Sequence, residues 1–333
     1  MSVITVIGAG SWGSGLSLLL SDNNHEVKVY DLDQGLITEI NTKHTNERYL
    51  PGAKLPSNIV GYIDLEEALK DSEVVLTVVP TKVMRQALKN INQALDHQVI
   101  FVNASKGIEP TTFKRVSEIV FEEIDATKIK GFVALTGPSH AEEVIKRQLT
   151  VVSASSDNLE LAKKVQLIFN NDEYFRVYTL NDLIGAELGS SLKNIIALAS
   201  GILAGLGYGD NAKAALITRG LAEMRRLAIK VGAKEATLYG LTGIGDLIVT
   251  ATSLHSRNYQ AGLKIGSGKN LKETLASMTM VVEGVRSCEA AYQLATSLNI
   301  EMPITFAVYD VIFNEREPKE VIKELMQRTL KHE

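Results

Sequence analysis

The hydrophobic pattern opens on Val3-Ile4-Thr5-Val6-Ile7, a short β-branched run. It breaks into Gly8-Ala9-Gly10-Ser11-Trp12-Gly13 and resumes as Leu16-Ser17-Leu18-Leu19-Leu20. That order predicts strand, tight turn, helix. Residues 26–30 read as a second strand and 35–43 as a helix, which completes a βαβ element with parallel strands. Residues 46–56 carry Pro51, Gly52 and Pro56 and read as a loop. The run Val74-Val75-Leu76-Thr77-Val78-Val79 is almost wholly apolar, as a central parallel strand buried on both faces would be, and Pro80 closes it.

The alternation continues with a helix over 83–91, a strand over 99–102, a helix over 112–124 and a strand over 132–135. The turn Gly137-Pro138-Ser139 comes next, then a short helix from Ala141, a strand over 150–154, an amphipathic helix over 159–169 and a strand over 174–178. From about Leu180 the period changes to helical spacing, over 185–205, 211–231, 271–276, 286–298 and 318–328. The pattern therefore predicts an α/β Rossmann-type N-terminal domain with a parallel-rich sheet over residues 1–180. A mostly α-helical substrate-binding and catalytic domain follows over 181–333.

Composition adds few constraints. The chain has 333 residues, 45% hydrophobic and 22% charged, a length that calls for two cores in an ordinary globular protein. Its 35 basic and 39 acidic residues leave a net charge of −4, so bulk electrostatics recruits neither nucleic acid nor an anionic membrane, and any phosphate binding must be local. Cys288 is the single cysteine and reads as a buried structural thiol; its isolation excludes an internal disulfide and fits a reducing compartment. The first strand follows Met1 almost at once, which leaves no room for a leader segment and predicts a cytoplasmic protein. The uncharged stretch 194–209 falls short of the roughly 18 to 20 apolar residues of a membrane span and reads as a helix buried in protein, without membrane insertion. An uncharged helix in a helical domain is also compatible with a homodimer. The six histidines show no ligand spacing, so no metal is expected.

Candidate chemistry gathers at the ends of the predicted strands. The spacing Gly8, Gly10, Gly13 is a dinucleotide fingerprint: one glycine turns the chain, one lets a pyrophosphate approach the backbone, and one lets helix and strand pack closely. Asp31 ends the second strand, 18 residues beyond Gly13, where a carboxylate accepts from an adenosine ribose and repels a 2′-phosphate. The alternative for Asp31 is a helix cap. Asp33 adds to the repulsion, and no Arg or Lys lies between Tyr30 and Lys43, so NAD(H) is the preferred cofactor and NADP(H) a secondary one. Lys106 and Gly137-Pro138-Ser139 each follow a strand at the carboxyl edge of the sheet. Lys193, among Leu192, Ile195 and Ile196, is a buried cation that is either snorkelling or functional, and desolvation would favour its neutral amine. Asp246, Ser256, Arg257 and Asn258 combine a carboxylate with the planar and neutral donors that suit a phosphate group.

These blocks together resemble the bacterial-type NAD(P)-dependent glycerol-3-phosphate dehydrogenases along essentially the whole chain. The matching segments are the glycine fingerprint, Ser105-Lys106-Gly107, Gly137-Pro138-Ser139-His140-Ala141-Glu142-Glu143, Leu192-Lys193-Asn194, Thr242-Gly243-Ile244-Gly245-Asp246-Leu247, Ser256-Arg257-Asn258 and Val282-Glu283-Gly284-Val285. The resemblance implies reversible hydride transfer between dihydroxyacetone phosphate and sn-glycerol 3-phosphate, the backbone unit of phospholipids. It implies cofactor contacts at Ser11, Trp12, Ala141, Val281 and Glu283, with Lys106 and Arg257 near the cofactor as well. Substrate contacts are implied at Lys106, Gly137, Ser139, Asp246, Ser256, Arg257 and Asn258. Lys193 is implied to carry the proton and Lys106 to stabilise the oxyanion, with Asp246 orienting or neutralising the two lysines. The chain departs from the family at Asp31-Leu32-Asp33, where similar proteins often place a basic residue suited to a 2′-phosphate. Two other readings share parts of this pattern: a 3-hydroxyacid dehydrogenase, which would need a carboxylate site in place of Ser256-Arg257-Asn258, and a non-catalytic NAD sensor, against which Lys106 and Lys193 stand together.

Overall fold

The computed structural model describes residues 1–110, 112–278, 280–330 and 332. They form two compact units: the first comprises 1–106 with 114–187, the second 107–113 with 188–333.

The first unit alternates β1 (Val3–Ile7), α1 (Ser11–Asp22), β2 (Glu26–Tyr30), α2 (Gln34–Lys43), β3 (Ile59–Tyr62), α3 (Leu65–Leu69), β4 (Val74–Thr77), α4 (Thr81–Ala94), β5 (Val99–Asn103), α5 (Val116–Glu123), β6 (Ile129–Thr136), α6 (Ala141–Val144), β7 (Thr150–Ser155), α7 (Leu159–Phe169) and β8 (Phe175–Leu180). The strands lie in the order β3-β2-β1-β4-β5-β6-β7-β8. The chain winds outward from β1 through β2 to β3, returns past it to β4, and so makes a topological switch between β1 and β4. In open α/β sheets ligands bind at that point, beyond the carboxyl ends of the strands.

Both faces of the sheet are covered, which is why β4 shows no polar alternation. Val74 and Leu76 enter one apolar cluster with Val6, Leu19 and Val29, whereas Val75 enters the other with Phe101, Leu88 and Ile119. The strand expected at 74–79 stops at Thr77, and the helix expected from 112 starts at Val116. β3 and α3 were not anticipated, since four residues with Gly61 among them give no resolvable period.

The sheet is parallel-rich, as the alternation predicts, with one exception: β7 runs antiparallel to β6, with Leu135 opposite Ala154. The connection holds only the four-residue α6, too little to carry the chain back along the sheet for a parallel return. Gly137 makes the reversal at φ +137°, and a Cβ there would stand 3.0 Å from Val152 Cα. No other residue type fits that turn.

The named elements of the second unit among its described residues are helices: most of α8 (Leu183–Gly205), then α9 (Asp210–Lys230), α10 (Glu235–Leu238), α11 (Asp246–Thr252), α12 (Arg257–Gly266), α13 (Leu271–Ala276), α14 (Glu283–Ser297), α15 (Pro303–Phe313) and α16 (Pro318–Met326). A π-helical turn, Leu241–Gly245, leads directly into α11, where the sequence suggested only a glycine-rich turn. By length and composition α8 would suffice to cross a membrane, yet 83% of its apolar window is buried within the protein. The uncharged stretch read at 194–209 is thus the later part of a longer helix as far as Gly205, and 206–209 lead from it into α9.

α8 and α12 touch backbone to backbone. A Cβ on Gly201 would come within 2.1 Å of Tyr259 O, and one on Gly262 within 2.0 Å of Leu198 O; Gly205 and Gly266 are equally tight. Small residues four apart on both helices permit that approach.

Two buried glutamates cap helices from a distance. Glu187, in the first unit, accepts from Ser117 N at 2.8 Å, Ser117 Oγ at 2.5 Å and Arg115 Nη1 at 3.1 Å at the start of α5. Glu223, in α9, accepts from Ile304 N at 2.6 Å and Thr305 N at 3.1 Å at the start of α15, where Pro303 occupies the first turn. Burial pushes each carboxyl up to about 7 against the pull of those donors. A folded-state value raised above the unfolded one means that the folded chain binds more protons, so the stability these groups contribute is full below the ordinary carboxylate range and is lost as pH rises through about 7. Denaturant midpoints should therefore fall over that window, and Glu223→Gln should flatten the decline. Glu223→Ala, which strands the α15 N–H groups, should cost about 1–3 kcal/mol at every pH.

Candidate active site

In the first unit the candidate residues line the carboxyl edge of the sheet. Gly8 turns the chain at φ +108°, and a Cβ on it would lie 2.9 Å from Val78 O; a Cβ on Gly13 would lie 2.0 Å from Gly8 O. Gly10 differs, because a Cβ there would meet nothing within 4 Å. The chain thus keeps one glycine for the turn, one for close packing and one that borders open space. Gly10 also leaves the start of α1 without a side-chain cap, so Ser11 and Trp12 open a helix whose first N–H groups can receive a phosphate. Trp12 Nε1 is buried with no acceptor among the described residues. Open space at Gly10, an uncapped helix start and an orphaned indole donor fit a dinucleotide pyrophosphate and its neighbours.

The glycine turn is held from both sides. Asp31 Oδ2 accepts from Ala9 N at 2.8 Å, and Asn46 Nδ2 donates to Ala9 O at 2.7 Å and to Ser14 Oγ at 2.8 Å. Asp33, not Asp31, caps α2, by accepting from Leu36 N; Asp31 Oδ1 instead accepts from Asp33 N at 3.0 Å. Each carboxylate oxygen has a second lone pair, so Asp31 can brace the turn and still accept from a ribose hydroxyl. Asn46 was not foreseen, since a lone Asn in a proline-containing loop looks like turn chemistry.

Beyond β5, Asn103 shapes the turn that ends in Lys106. Its Oδ1 accepts from Ser105 N at 3.1 Å and its Nδ2 donates to Ser105 O at 3.0 Å. Beyond β6, Ser139 Oγ donates to Gly137 O at 3.0 Å, and buried Ala141 opens α6 against Gly15 of α1. Gly8, Gly10, Ser11, Trp12, Gly13, Asp31, Lys106, Gly137, Ser139 and Ala141 therefore all belong to the turns and helix starts at one edge of this unit.

In the second unit Lys193 is 2% exposed and Asp246 1%. Lys193 Nζ forms an ion pair with Asp246 Oδ1 and donates to Thr250 Oγ1 at 2.9 Å, while that hydroxyl donates to Asp246 O at 2.6 Å. The desolvated amine is thus met by the carboxylate of Asp246, in its own unit, which offsets the cost of burying it. Thr250 escaped sequence reading because 246–252 was not read as helix; four residues past Asp246 on α11, it shares that face.

Ser256 caps α12 by accepting from Tyr259 N at 3.3 Å, which sets Arg257 at the first turn with its guanidinium 3.9 Å from Met280 Sδ. Asn258 turns inward: its Nδ2 donates to Asn194 Oδ1 at 2.9 Å, and its Oδ1 accepts from Gly284 N at 2.8 Å. One amide side chain so ties α8, α12 and the start of α14, where Val281 is exposed and Glu283 begins the helix. Each of the two clusters is built inside its own compact unit.

A doubly wound sheet with a glycine turn and an acidic β2 end, followed by a helical unit with a buried lysine, defines a nucleotide-dependent dehydrogenase of the Rossmann type. Comparison with known proteins narrows the class. The models of the NAD-dependent glycerol-3-phosphate dehydrogenase N-terminus and C-terminus match residues 3–162 and 182–323. A protein of Bacillus cytotoxicus named glycerol-3-phosphate dehydrogenase [NAD(P)+] is 56% identical over all of this chain and 97% of its own length, and one of Bacillus thuringiensis is 55% identical over all of this chain and 98% of its own. The crystal structure of glycerol-3-phosphate dehydrogenase from Coxiella burnetii superposes with a TM-score of 0.93 at 35% identity, over 98% of this chain and 99% of that one. The chain belongs to the NAD-dependent glycerol-3-phosphate dehydrogenase family.

Removing one member of the buried pair should be costly. Asp246→Ala, which leaves Lys193 buried without its counter-charge, should destabilise by about 3–5 kcal/mol in denaturant titrations, and Lys193→Met in the same background should restore part of the loss.

Proposed function

We propose that the chain reduces dihydroxyacetone phosphate to sn-glycerol 3-phosphate, reversibly, with NAD(H) preferred and NADP(H) also accepted. The product is the backbone unit of glycerophospholipids. When bound, the dihydronicotinamide supplies a hydride to the carbonyl carbon. The residues of the chain have to hold that cofactor, hold the phosphate of the substrate, and place a proton on the oxygen as charge builds there.

The observation that carries this reading is the buried Lys193, paired with Asp246 and Thr250 in the same unit as the Arg257 helix start. As the carbonyl π pair moves onto oxygen, Lys193 Nζ gives it a proton and is left as a neutral amine, to be reprotonated from solvent before the next turnover. Asp246 and the Thr250 hydroxyl fix the direction of Nζ, which limits the reorganisation needed in the transition state. Lys106 lends a second positive charge to the developing alkoxide. Arg257, with the N–H groups of the α12 start that Ser256 caps, binds the phosphate; Asn258 keeps that helix start in place against Asn194 and Gly284. Anchoring the phosphate lends remote binding energy to aligning the ketone.

On the nucleotide side, Gly8, Gly10 and Gly13 admit the pyrophosphate at Ser11 and Trp12, with Asp31 on the ribose. Ala141, Val281, Glu283, Lys106, Gly137, Ser139 and Arg257 complete the proposed set of cofactor and substrate contacts. The reading includes a cytoplasmic enzyme acting on a soluble phosphorylated metabolite. It also includes a homodimer, whose contact surface has to lie outside the buried part of α8.

Lys193→Ala should lower kcat by orders of magnitude while dihydroxyacetone phosphate still binds, as measured by NADH oxidation and by calorimetry. Near-normal turnover would overturn the assignment. In the same assay NADH should give the higher kcat/KM of the two reduced cofactors.

A further inference from the structure

The acidic pair Asp31 and Asp33 is hostile to a 2′-phosphate, yet the relatives carry [NAD(P)+] in their names. The local sequence between Tyr30 and Lys43 holds no cation to resolve this, but the fold brings one from further along the chain. The loop between α2 and β3 turns back on the glycine fingerprint through Asn46, which donates to Ala9 O and Ser14 Oγ. Two residues on, Arg48 Nη1 donates to Asp33 Oδ2 at 3.1 Å, and its guanidinium lies over the Tyr49 ring at 5.2 Å from the centroid. Tyr49 in turn packs against the core of the sheet. The neighbouring Glu47 carboxylate is engaged by Gly52 N.

We propose that Arg48 is the 2′-phosphate-binding residue of this chain, held at the ribose end of the nucleotide site by Tyr49 and exchanging Asp33 for the phosphate when NADP(H) binds. The inference rests on the dinucleotide-binding reading above. Three features support it. Arg48 and Asp33 are 62% and 43% exposed, so their pair is weak and readily exchanged. The contact to Asp33 uses a single guanidinium nitrogen, whereas a phosphate offers the planar fork two or more oxygens. Stacking on Tyr49 limits the freedom of a long side chain, so less is lost when it binds. With no 2′-phosphate present, Arg48 neutralises Asp33 and leaves Asp31 to the ribose, which accounts for one site that takes both cofactors while favouring NAD(H).

Calorimetry on the full chain tests this with adenosine 2′,5′-bisphosphate as probe, and 5′-AMP and NADH as controls. Arg48→Ala should weaken the bisphosphate roughly tenfold while 5′-AMP and NADH stay within about twofold, and Arg48→Lys should fall between. Asp33→Asn keeps the cap on α2 and removes the competing charge, so it should tighten the bisphosphate several-fold. Equal weakening of all three ligands would show a merely structural role for the loop and overturn the proposal. So would an affinity for the bisphosphate left unchanged by Arg48→Ala. Failure of the unaltered protein to bind 5′-AMP or NADH at all would overturn the dinucleotide reading itself.

Discussion

The helical unit depends on how closely α8 and α12 approach. With glycine at 201, 205, 262 and 266, the two backbones meet at distances that a single methyl group would forbid. The approach has consequences at the helix start. Because α12 lies directly on α8, Asn258 can reach Asn194 and still hold Gly284, and Arg257 follows a capping serine whose position is fixed by the same crossing. A bulkier crossing would separate the α12 start, with Arg257, from the helix that bears the lysine. Lys193 is thereby enclosed, and enclosure makes the carboxylate of Asp246 a necessity for it.

The nucleotide-binding unit uses the opposite device. There the backbone of one residue, Ala9, is gripped at its N–H by Asp31 and at its carbonyl by Asn46. The glycine turn is thus set by the fold itself, and the cost of ordering it is met during folding. Glu187 and Glu223 follow a third pattern, in which a buried carboxylate terminates a helix distant in sequence. At α15 Glu223 replaces the local capping side chain that the helix lacks, and at α5 Glu187 adds a partner that only the tertiary fold can supply to the local Glu118, which accepts from Arg115 N.

What the sequence made legible follows from these differences. The β-branched runs from Val3 to Val79 and the glycine spacing report local requirements, and the sheet and its first turn were readable from them. Lys193 stood out because a cation among Leu192, Ile195 and Ile196 breaks the apolar pattern. β3 was hidden because four residues with Gly61 among them give no period, and the reversal of β7 because pairing direction depends on the length of a connection across the sheet and not on the strand itself. α15 was hidden for a related reason: it is apolar on nearly every side and shows no period. Thr250, Asn46 and Arg48 act through partners at other points of the fold. Nothing near Arg48 in sequence signals that it meets Asp33, and only the folding of the 44–56 loop onto the fingerprint brings them together.

The orphaned indole of Trp12 has one more consequence. It is the only tryptophan in the chain, and it stands in the first turn of α1, packed against the core beside the glycine turn. All indole emission from this protein therefore originates at that edge of the sheet, and a reduced nicotinamide absorbs light in the range where indole emits. The fold has in effect placed a single indole label at the proposed nucleotide site, so the indole emission of the unmodified protein, excited beyond the absorption of its ten tyrosines, reports on that edge of the sheet.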